Sequence, residues 1–396
     1  MQSIQARLPL AGRYDSVVFD LDGVIYLDDQ VIPAAPGAVR GVRELGTRVA
    51  FVTNNAVRPP SAVVEKLARL GVKATVEEVL TSAHAVVRLL GGAPALADLK
   101  LLVVGGPGLR QALADAGARL LEPAAWREAD VVVAGLDPDL DYGKLRAATL
   151  AIAAGARFVG SNPDASLPTP EGPWPGAGSV LALLSVATGV RPRVAGKPER
   201  ALFEAVAAAL GDGSYLMVGD RADTDLAGAR MLGWGTALVL TGVTRLATLL
   251  DLPVAPDHLL ADAGGLLAPP GPAIRPATTA DTPAVAALLG EEPAAAGGDG
   301  RLALVAHDGA EVVGAVACRW SGERARLQGL AVQPRARGRL VGARLLQAAC
   351  IRLRAAGVRR LRAGGGVDQG AAFLERLGFA PEGSGALVRD LSPPAQ

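Results

Sequence analysis

Two aspartates separated by one residue follow a short apolar run in SVVFDLDG, residues 16–23. Asp20 and Asp22 therefore stand where a buried strand should end, and burying a carboxylate without a partner is costly in free energy. Three other polar segments could supply partners, namely TNN at 53–55, GKP at 196–198 and GDRADTD at 219–225. We expect these segments to meet around a cation and an anionic ligand.

The elements around these segments follow an order that would bring them together. The alternation of strand and helix is typical of a parallel sheet with helices on both faces. Asp20, Thr53 and Asp220 each fall at the carboxyl end of a predicted strand, and in such a sheet those ends face one crevice. The first predicted elements are strands at 16–20 and 47–55 and helices at 34–46 and 59–71, both ending at glycine.

A second α/β segment follows, with predicted strands at 99–106 and 129–136. The GGPG at 105–108 lacks the full GxGxxG spacing and a matching downstream acid, so we predict a plain strand-to-loop turn. SNPDASLPTPEGPWPGAG at 161–178 is predicted as a long loop rich in proline and glycine. Loops of that length in compact domains are usually functional.

Several carboxylates in one crevice repel one another unless a cation lies among them. A few oxygen ligands with room for water are typical of Mg²⁺ sites, and the three histidines show no paired spacing for zinc. A lysine beside such a site suits a phosphoryl group. The oxygens of that group carry negative charge, which must be stabilised during phosphoryl transfer. An aspartate can form an aspartyl-phosphate, and a second carboxylate can act as general acid and then as base.

Four motifs carry a family resemblance. DLDGV, FVTNN, GKP and GDRADTD occur in this order and are similar to the four signature motifs of the haloacid dehalogenase (HAD) superfamily. Residues 131–145 and 161–179 resemble the cap of its NagD-like branch, which includes p-nitrophenylphosphatases and phosphoglycolate phosphatases. The resemblance covers roughly residues 12–268 and implies a Rossmann-like core with an inserted α/β cap.

The resemblance implies roles for the acidic residues of the motifs. Asp20 would be the nucleophile and a Mg²⁺ ligand. Asp22 would be the general acid and base, and would give Mg²⁺ its backbone carbonyl. Asp220 would ligate Mg²⁺, and Asp225 would support the site through water.

The resemblance also implies how the phosphoryl group would be held. Thr53 and the amides near Asn54 and Asn55 would bind its oxygens, and Lys197 would neutralise both Asp20 and the phosphate. These assignments make the substrate a phosphorylated small molecule.

The cap is expected to close over the crevice, exclude water and select the leaving group. Within the loop at 161–178, Asn162 and Asp164 offer hydrogen bonds suited to substrate hydroxyls. The alternative is that they only organise the turn, which asparagine and aspartate do well. Few aromatic residues lie in the predicted cap, which favours a small polyol or acid phosphate over a nucleotide.

The C-terminal part has a different pattern. Residues 273–290 predict a strand followed by a helix with Asp281 as its cap, and 301–320 predict a hairpin with a DG turn. Residues 325–358 resemble the acyl-CoA-binding stretch of GNAT acetyltransferases, and FLERLGF at 373–379 resembles a later motif of that family. Loop amides and a helix N-terminus would cradle the pyrophosphate of acyl-CoA.

Two departures from the GNAT pattern weaken an acetyltransferase interpretation. Leu340 replaces the middle glycine of the loop in RGRLVG, where a side chain hinders close approach of a phosphate. Leu374 stands where the family has its tyrosine general acid. We therefore favour a domain that binds acyl-CoA weakly, or only packs and assembles, over active acetyl transfer.

Composition excludes several classes of protein. No apolar run is long enough to span a bilayer, MQSIQARLPLAGRYD lacks the apolar centre of a signal peptide, and Cys318 and Cys350 are too few for a disulfide framework. We expect a cytoplasmic protein. The net charge is +1, but the part after residue 271 is basic, which indicates an anionic partner or a solvated arginine-rich surface. No interleaved aromatics support nucleic-acid binding.

The sequence thus predicts a Mg²⁺-dependent phosphomonoesterase of α/β class. The fusion to a GNAT-like tail resembles mycobacterial glycerol-3-phosphate phosphatases, and this resemblance alone makes glycerol 3-phosphate the expected substrate. Phosphoglycolate or another small phosphate is the alternative substrate within the same chemistry. The rival hypothesis is that an acetyl-CoA-binding or acetyltransferase role of the tail dominates. A homodimer is possible. The predicted domains are a HAD core at 1–82 and 179–265, an inserted cap at 83–178, a linker at 266–275 and a GNAT-like domain at 276–396.

Overall fold

The computed structural model describes residues 8–169, 171–290, 300–364, 370–383 and 386–392. The ends of the predicted domains at residues 1–7 and 393–396 lie outside the described residues. The chain forms two compact units, of which the first is Ala11–Thr236 and the second contains the chain from Ala237 onward. Among the described residues, no helix is both long enough and apolar enough to cross a bilayer.

The first unit alternates strands and helices, as the sequence predicts. Its strands are β1 (Ser16–Asp20), β2 (Tyr26–Leu27), β3 (Gln30–Val31), β4 (Arg48–Thr53), β5 (Val79–Thr81), β6 (Lys100–Val104), β7 (Arg119–Leu121), β8 (Val131–Ala134), β9 (Arg157–Gly160), β10 (Ser166–Thr169), β11 (Gly172–Pro175), β12 (Arg193–Val194) and β13 (Tyr215–Gly219). Its helices are α1 (Ala35–Glu44), α2 (Pro60–Arg69), α3 (Ser82–Leu89), α4 (Ala93–Leu96), α5 (Pro107–Asp115), α6 (Tyr142–Ala153), α7 (Ala177–Thr188), α8 (Arg200–Leu210) and α9 (Ala227–Met231).

The first sheet of this unit positions the predicted site. Strands β13, β1, β4 and β5 lie side by side in this order, and all run parallel. Every residue of β1 is buried, as expected of a parallel strand covered on both faces. Asp20 and Thr53 therefore end neighbouring strands, and Asp220 directly follows β13 on the other side of β1.

The second sheet has the strand order β12-β9-β8-β6-β7 and is also parallel. On one face Val180, Leu181 and Leu184 of α7 pack in one apolar cluster with the strands. Helix α7 extends across residue 178, where we predicted the inserted domain to end, and β12 follows that residue. Because they complete its sheet and core, we place that end near residue 194.

The segment 161–178 differs from the predicted loop. Strands β10 and β11 within it pair antiparallel, with Ser166 opposite Pro175 and Leu167 opposite Trp174. Proline is tolerated here because in a two-stranded ribbon each strand has an edge that needs no donor. The proline content that indicated a loop is thus compatible with a hairpin.

The GGPG turn contains two closely packed glycines. A Cβ at Gly108 would lie 2.4 Å from the carbonyl oxygen of Arg58, and one at Gly106 would lie 3.1 Å from Val57. The Gly108 amide donates to the Val57 carbonyl at 2.8 Å. This turn therefore serves close backbone packing at the start of α5, in agreement with the predicted strand-to-loop turn.

The second unit is built on a seven-stranded sheet, mostly antiparallel, with the order β16-β17-β18-β19-β20-β22-β21. Helix α11 packs on this sheet, and the short turn Leu246–Asp251 packs on α11. Its elements are β14 (Gly235–Val239), β15 (His258–Leu260), β16 (Ala273–Pro276), α10 (Thr282–Leu289), β17 (Arg301–Asp308), β18 (Glu311–Ser321), β19 (Arg324–Val332), α11 (Val341–Ala355), β20 (Arg360–Ala363), α12 (Ala371–Arg376), β21 (Ala380–Glu382) and β22 (Ala386–Asp390).

Two predictions for this unit need correction. The sheet starts at Ala273, inside the predicted linker, because β16 pairs with β17. Asp281 does not cap α10 with its side chain. It stands at the predicted cap position directly before α10, but its carboxylate accepts hydrogen bonds from Thr278 and Arg275 instead of from the helix. The α/β class and the hairpin of β17 and β18 are confirmed.

An aromatic cluster in the first unit provides a stability test. Phe203 of α8 is buried and meets Trp234 edge-on at 5.5 Å, and Trp234 stacks on Tyr215 at 4.4 Å. We expect Phe203→Ala to lower the free energy of unfolding by about 3–5 kcal/mol, because it removes buried area and leaves a cavity. Val186→Ala, at a side chain 87% exposed, is the control and should change it by less than about 0.5 kcal/mol. Equal effects in urea unfolding would contradict this packing.

Candidate active site

Three carboxylates meet at the carboxyl ends of the first sheet. Asp20, Asp220 and Asp225 are buried, and one oxygen of each lies within 4.8 Å of the others. Asp20 ends β1, Asp220 directly follows β13, and Asp225 lies within the turn Ala222–Leu226 that comes next. The sequence predicted all three at this edge, and the structure places them together.

The turn after β13 aims Asp225 back toward the sheet. Its Oδ2 accepts a hydrogen bond from the Arg221 amide at 3.1 Å. A Cβ at Gly219 would lie only 2.4 Å from the Asp225 side chain, so no larger residue fits at the end of β13. The glycine of the GDRADTD motif is therefore required by close approach of this carboxylate.

Lys197 lies between two of the carboxylates. Its Nζ is 2.6 Å from Asp20 Oδ1 and 2.7 Å from Asp225 Oδ1, and its side chain is only 4% exposed. Burial would lower the pKa of Lys197, but the charges of Asp20 and Asp225 outweigh burial and raise it. The lysine therefore stays charged at neutral pH and holds both carboxylates.

The net negative charge of this cluster favours the binding of a divalent cation. Burial and the neighbouring charge of Asp225 raise the pKa of Asp20 well above its usual range, although Lys197 acts in the opposite sense. Three ionised carboxylates beside one ammonium would leave two negative charges without compensation. The buried Asp225 Oδ1 has Lys197 as an ion-pair partner but accepts no well-aligned hydrogen bond. These oxygen donors fit Mg²⁺.

Asp22 lies outside the three-carboxylate cluster. Its side chain reaches solvent, yet desolvation by the surrounding protein raises its pKa, which the charges of Lys66 and Lys197 oppose. A solvent-accessible carboxyl with a raised pKa is suited to exchange protons with a ligand. The role of Asp22 as general acid and base stays a prediction.

Thr53 and Asn55 form a tight turn after β4. The Asn55 amide donates to Thr53 Oγ1 at 3.1 Å, and the Asn55 carboxamide oxygen accepts from the Val57 amide at 2.9 Å. Thr53 is buried next to the end of β1. The hydroxyl is thereby held at the sheet edge, while the Asn55 side chain shapes the turn.

Asn54 joins the segments of the site. Its Oδ1 accepts from the Lys197 amide at 2.8 Å, and its Nδ2 donates to the Lys197 carbonyl at 3.1 Å and to Asp164 Oδ2 at 2.9 Å. Its backbone carbonyl accepts from Ser82 Oγ at 2.6 Å and from Asn162 Nδ2 at 2.7 Å. Asn54 therefore fastens Ser82, where the chain enters the inserted domain, Asn162 within that domain, and Lys197 shortly after the chain leaves it.

The predicted substrate-binding residues are thus occupied by contacts within the protein. Besides its bond to Asn54, Asn162 accepts from the Asp164 amide at 3.2 Å. Of the two interpretations of the 162–164 turn, these bonds favour the one in which the side chains organise it. The Asn54 side chain likewise positions Lys197.

Arg221 is a site residue that the sequence analysis missed. Its guanidinium contacts Asp164 Oδ1 at 3.1 Å and Asp223 Oδ2 at 2.9 Å. It thereby links the GDRADTD motif to the turn at Asp164. Its position inside that motif, directly after Asp220, was the available signal.

The chain is similar to known proteins over most of its length. Family models match a haloacid dehalogenase-like hydrolase at residues 17–119, a HAD-hydrolase-like segment at 194–266 and an acetyltransferase (GNAT) domain at 299–381. The 5′-nucleotidase YutF of Bacillus subtilis is 36% identical over 62% of this chain and 95% of its own length.

Glycerol phosphate phosphatases are among the similar proteins, and two solved structures of them cover most of this chain. The D-glycerol 3-phosphate phosphatase of Mycobacterium tuberculosis is 41% identical over 59% of this chain, and the match spans 65% of that relative. A crystal structure of glycerol phosphate phosphatase from the same organism, in complex with calcium, covers 94% of this chain and 99% of its own, with TM-score 0.73 and 32% identity. A magnesium complex aligns with TM-score 0.72.

These matches agree with the predicted phosphatase and with the predicted GNAT-like tail. The match to YutF, which is covered almost completely, shows the family. The order of the motifs and the buried carboxylate cluster support the same assignment. The chain therefore belongs to the haloacid dehalogenase-like hydrolases, and it carries a GNAT domain at its C-terminal end.

Proposed function

We propose that this hydrolase is a Mg²⁺-dependent phosphomonoesterase that acts through an aspartyl-phosphate. The observation that carries the proposal is Lys197, which is buried between Asp20 and Asp225 at the edge of three carboxylates. A buried ammonium with a spare hydrogen-bond donor beside a carboxylate cluster suits a phosphoryl dianion. The negative charge on the phosphoryl oxygens must be stabilised for the group to be transferred. The phosphatase names of the relatives support the same chemistry.

In the first step, a carboxylate oxygen of Asp20 attacks phosphorus, and the bond from phosphorus to the ester oxygen breaks. Asp22, in its protonated form, gives its proton to the leaving oxygen. Desolvation raises the pKa of this carboxyl and so favours that form. Bound Mg²⁺, held by Asp20, Asp220 and the Asp22 carbonyl with support from Asp225, would neutralise phosphoryl charge.

In the second step, Asp22 is a carboxylate and takes a proton from water, whose oxygen attacks the phosphorus of the aspartyl-phosphate. The bond from phosphorus to Asp20 breaks, which releases inorganic phosphate and restores the Asp20 carboxylate and the protonated Asp22. Lys197 and the Thr53 hydroxyl would hold phosphoryl oxygens through both steps, since both groups are fixed at the ends of the strands.

We propose glycerol 3-phosphate as the preferred substrate, with phosphoglycolate or another small phosphate as the alternative. The support is the name of the relative that shares the fused GNAT tail. The bonds of Asn54, Asn162 and Asp164 within the protein mean that these side chains would shape the pocket. Recognition of the substrate hydroxyls would then rest on other groups of the inserted domain.

We infer that the GNAT domain does not transfer acetyl groups. Leu374, which stands at the position of the tyrosine acid, is 1% exposed and cannot donate a proton. Leu340 adopts φ +55° immediately before α11, a left-handed conformation that glycine adopts without strain. Its side chain at the start of the helix hinders the close approach of a pyrophosphate, which leaves packing as the favoured role of this domain.

Removing the nucleophile should abolish turnover. We expect Asp20→Asn to lower phosphate release by about 10³-fold or more, with an unchanged far-UV circular dichroism spectrum. Asp98→Asn, at an exposed position of the same unit, is the matched control and should keep wild-type activity. Full activity of Asp20→Asn would rule out the proposed mechanism.

Metal binding should depend on the carboxylate cluster. In calorimetric titration with Mg²⁺, we expect Asp220→Asn to bind about tenfold or more weakly than wild type, since it removes one charged ligand. Asp212→Asn changes the charge equally at an exposed site and should bind like wild type. Chelation with EDTA should stop phosphate release. Unchanged Mg²⁺ affinity in Asp220→Asn would place the metal elsewhere.

A substrate panel tests the finer proposal. We expect Mg²⁺-dependent phosphate release to show its highest kcat/KM on glycerol 3-phosphate among phosphoglycolate, pyridoxal phosphate, nucleoside monophosphates and p-nitrophenyl phosphate. A higher kcat/KM on another small ester would keep the mechanism and replace the substrate. No release from any of these esters would contradict the phosphatase proposal.

A further inference from the structure

One lysine outside the four motifs contacts the segment that carries Asp22. Lys66 belongs to α2, and its Nζ lies 3.9 Å from the centroid of the Tyr26 ring. The same Nζ is 3.4 Å from Asp29 Oδ1. A lysine over an aromatic face is attracted by the ring quadrupole, so Lys66 binds this segment at two points.

Tyr26 is firmly connected to Asp22. The two residues form an isolated β-bridge, and the Gly23 amide donates to the Tyr26 carbonyl at 2.8 Å. The Tyr26 side chain is 5% exposed, so its ring is fixed by the protein around it. A displacement of Tyr26 would therefore carry Asp22 with it.

The hairpin of β2 and β3 is weak by itself. Only two residue pairs join its strands, Tyr26 with Val31 and Leu27 with Gln30. Its turn includes Asp28 at φ +51°, a conformation that costs free energy for a residue other than glycine. A two-stranded hairpin of this size is not stable without outside contacts, and Lys66 provides two of them.

We propose that Lys66 is a positioning residue, which fixes the segment 22–31 on α2 through Tyr26 and Asp29 and thereby holds Asp22 in place for proton transfer to the leaving oxygen. This inference rests on the proposed function. Lys66 needs no contact with substrate for this role.

The role has a consequence that depends on the leaving group. An alkoxide is a poor leaving group and needs a proton from Asp22 as the ester bond breaks, whereas p-nitrophenolate leaves without one. The parameter kcat/KM reports steps up to release of the alcohol, so hydrolysis of the aspartyl-phosphate does not enter. A misplaced Asp22 should therefore slow alkyl phosphates selectively.

The test compares the full-length protein with Lys66→Met, Lys66→Arg and Lys73→Met. Methionine keeps an unbranched side chain without the charge, arginine keeps the charge, and Lys73 is exposed and serves as the control. We expect Lys66→Met to lower kcat/KM for glycerol 3-phosphate about tenfold, part of the 10²–10⁴-fold that a general acid contributes. For p-nitrophenyl phosphate the change should stay below about twofold. Lys66→Arg should restore most of the loss, and Lys73→Met should match wild type.

Three results would overturn the role of Lys66. They are an equal loss on both esters, no loss on either ester, and Lys66→Arg being no better than Lys66→Met. If wild type prefers phosphoglycolate, that alkyl phosphate takes the place of glycerol 3-phosphate in the comparison. Wild-type inactivity on all these esters would instead reject the proposed function, so the two failures are distinguishable.

Discussion

The buried ammonium of Lys197 between Asp20 and Asp225 is the interaction on which the rest of the site depends. Three carboxylates at one sheet edge would repel one another, and removing each from water is costly. One lysine cannot neutralise all of them, which is why the same cluster suits a divalent cation and a phosphoryl group. The divalent cation and the phosphoryl group that the proposed reaction needs would therefore also stabilise the site.

Lys197 is in turn held by Asn54, which bonds to both the amide and the carbonyl of that residue. The same asparagine fastens Ser82, where the chain enters the inserted domain, and Asn162 within that domain. Position of the lysine and attachment of the inserted domain are thus coupled through one side chain and its carbonyl. A motion of the inserted domain would therefore shift Lys197 directly through its hydrogen bonds to Asn54.

The sequence was informative wherever local pattern determines structure. Strand periodicity and the parallel topology place Asp20, Thr53 and Asp220 at one edge, and the structure has them there. The contacts of Asn54 were not predictable, because they join residues up to 143 positions apart and depend on how the inserted domain packs. The hairpin of β10 and β11 was missed because its prolines, tolerated at ribbon edges, read as a loop signal. The contact of Lys66 with Tyr26 likewise depends on packing across α2, and no local pattern indicates it.

The most direct test of the account is to trap the covalent intermediate on Asp20. Borohydride reduces an acyl-phosphate to homoserine, and peptide mass spectrometry then locates the reduced residue. Asp22→Asn supplied with p-nitrophenyl phosphate and Mg²⁺ suits this test, because formation of the intermediate needs no proton from residue 22 while its hydrolysis lacks a base. The account predicts homoserine at position 20 only when substrate and Mg²⁺ are both present. Reduction at another aspartate, or none at any residue, would contradict it.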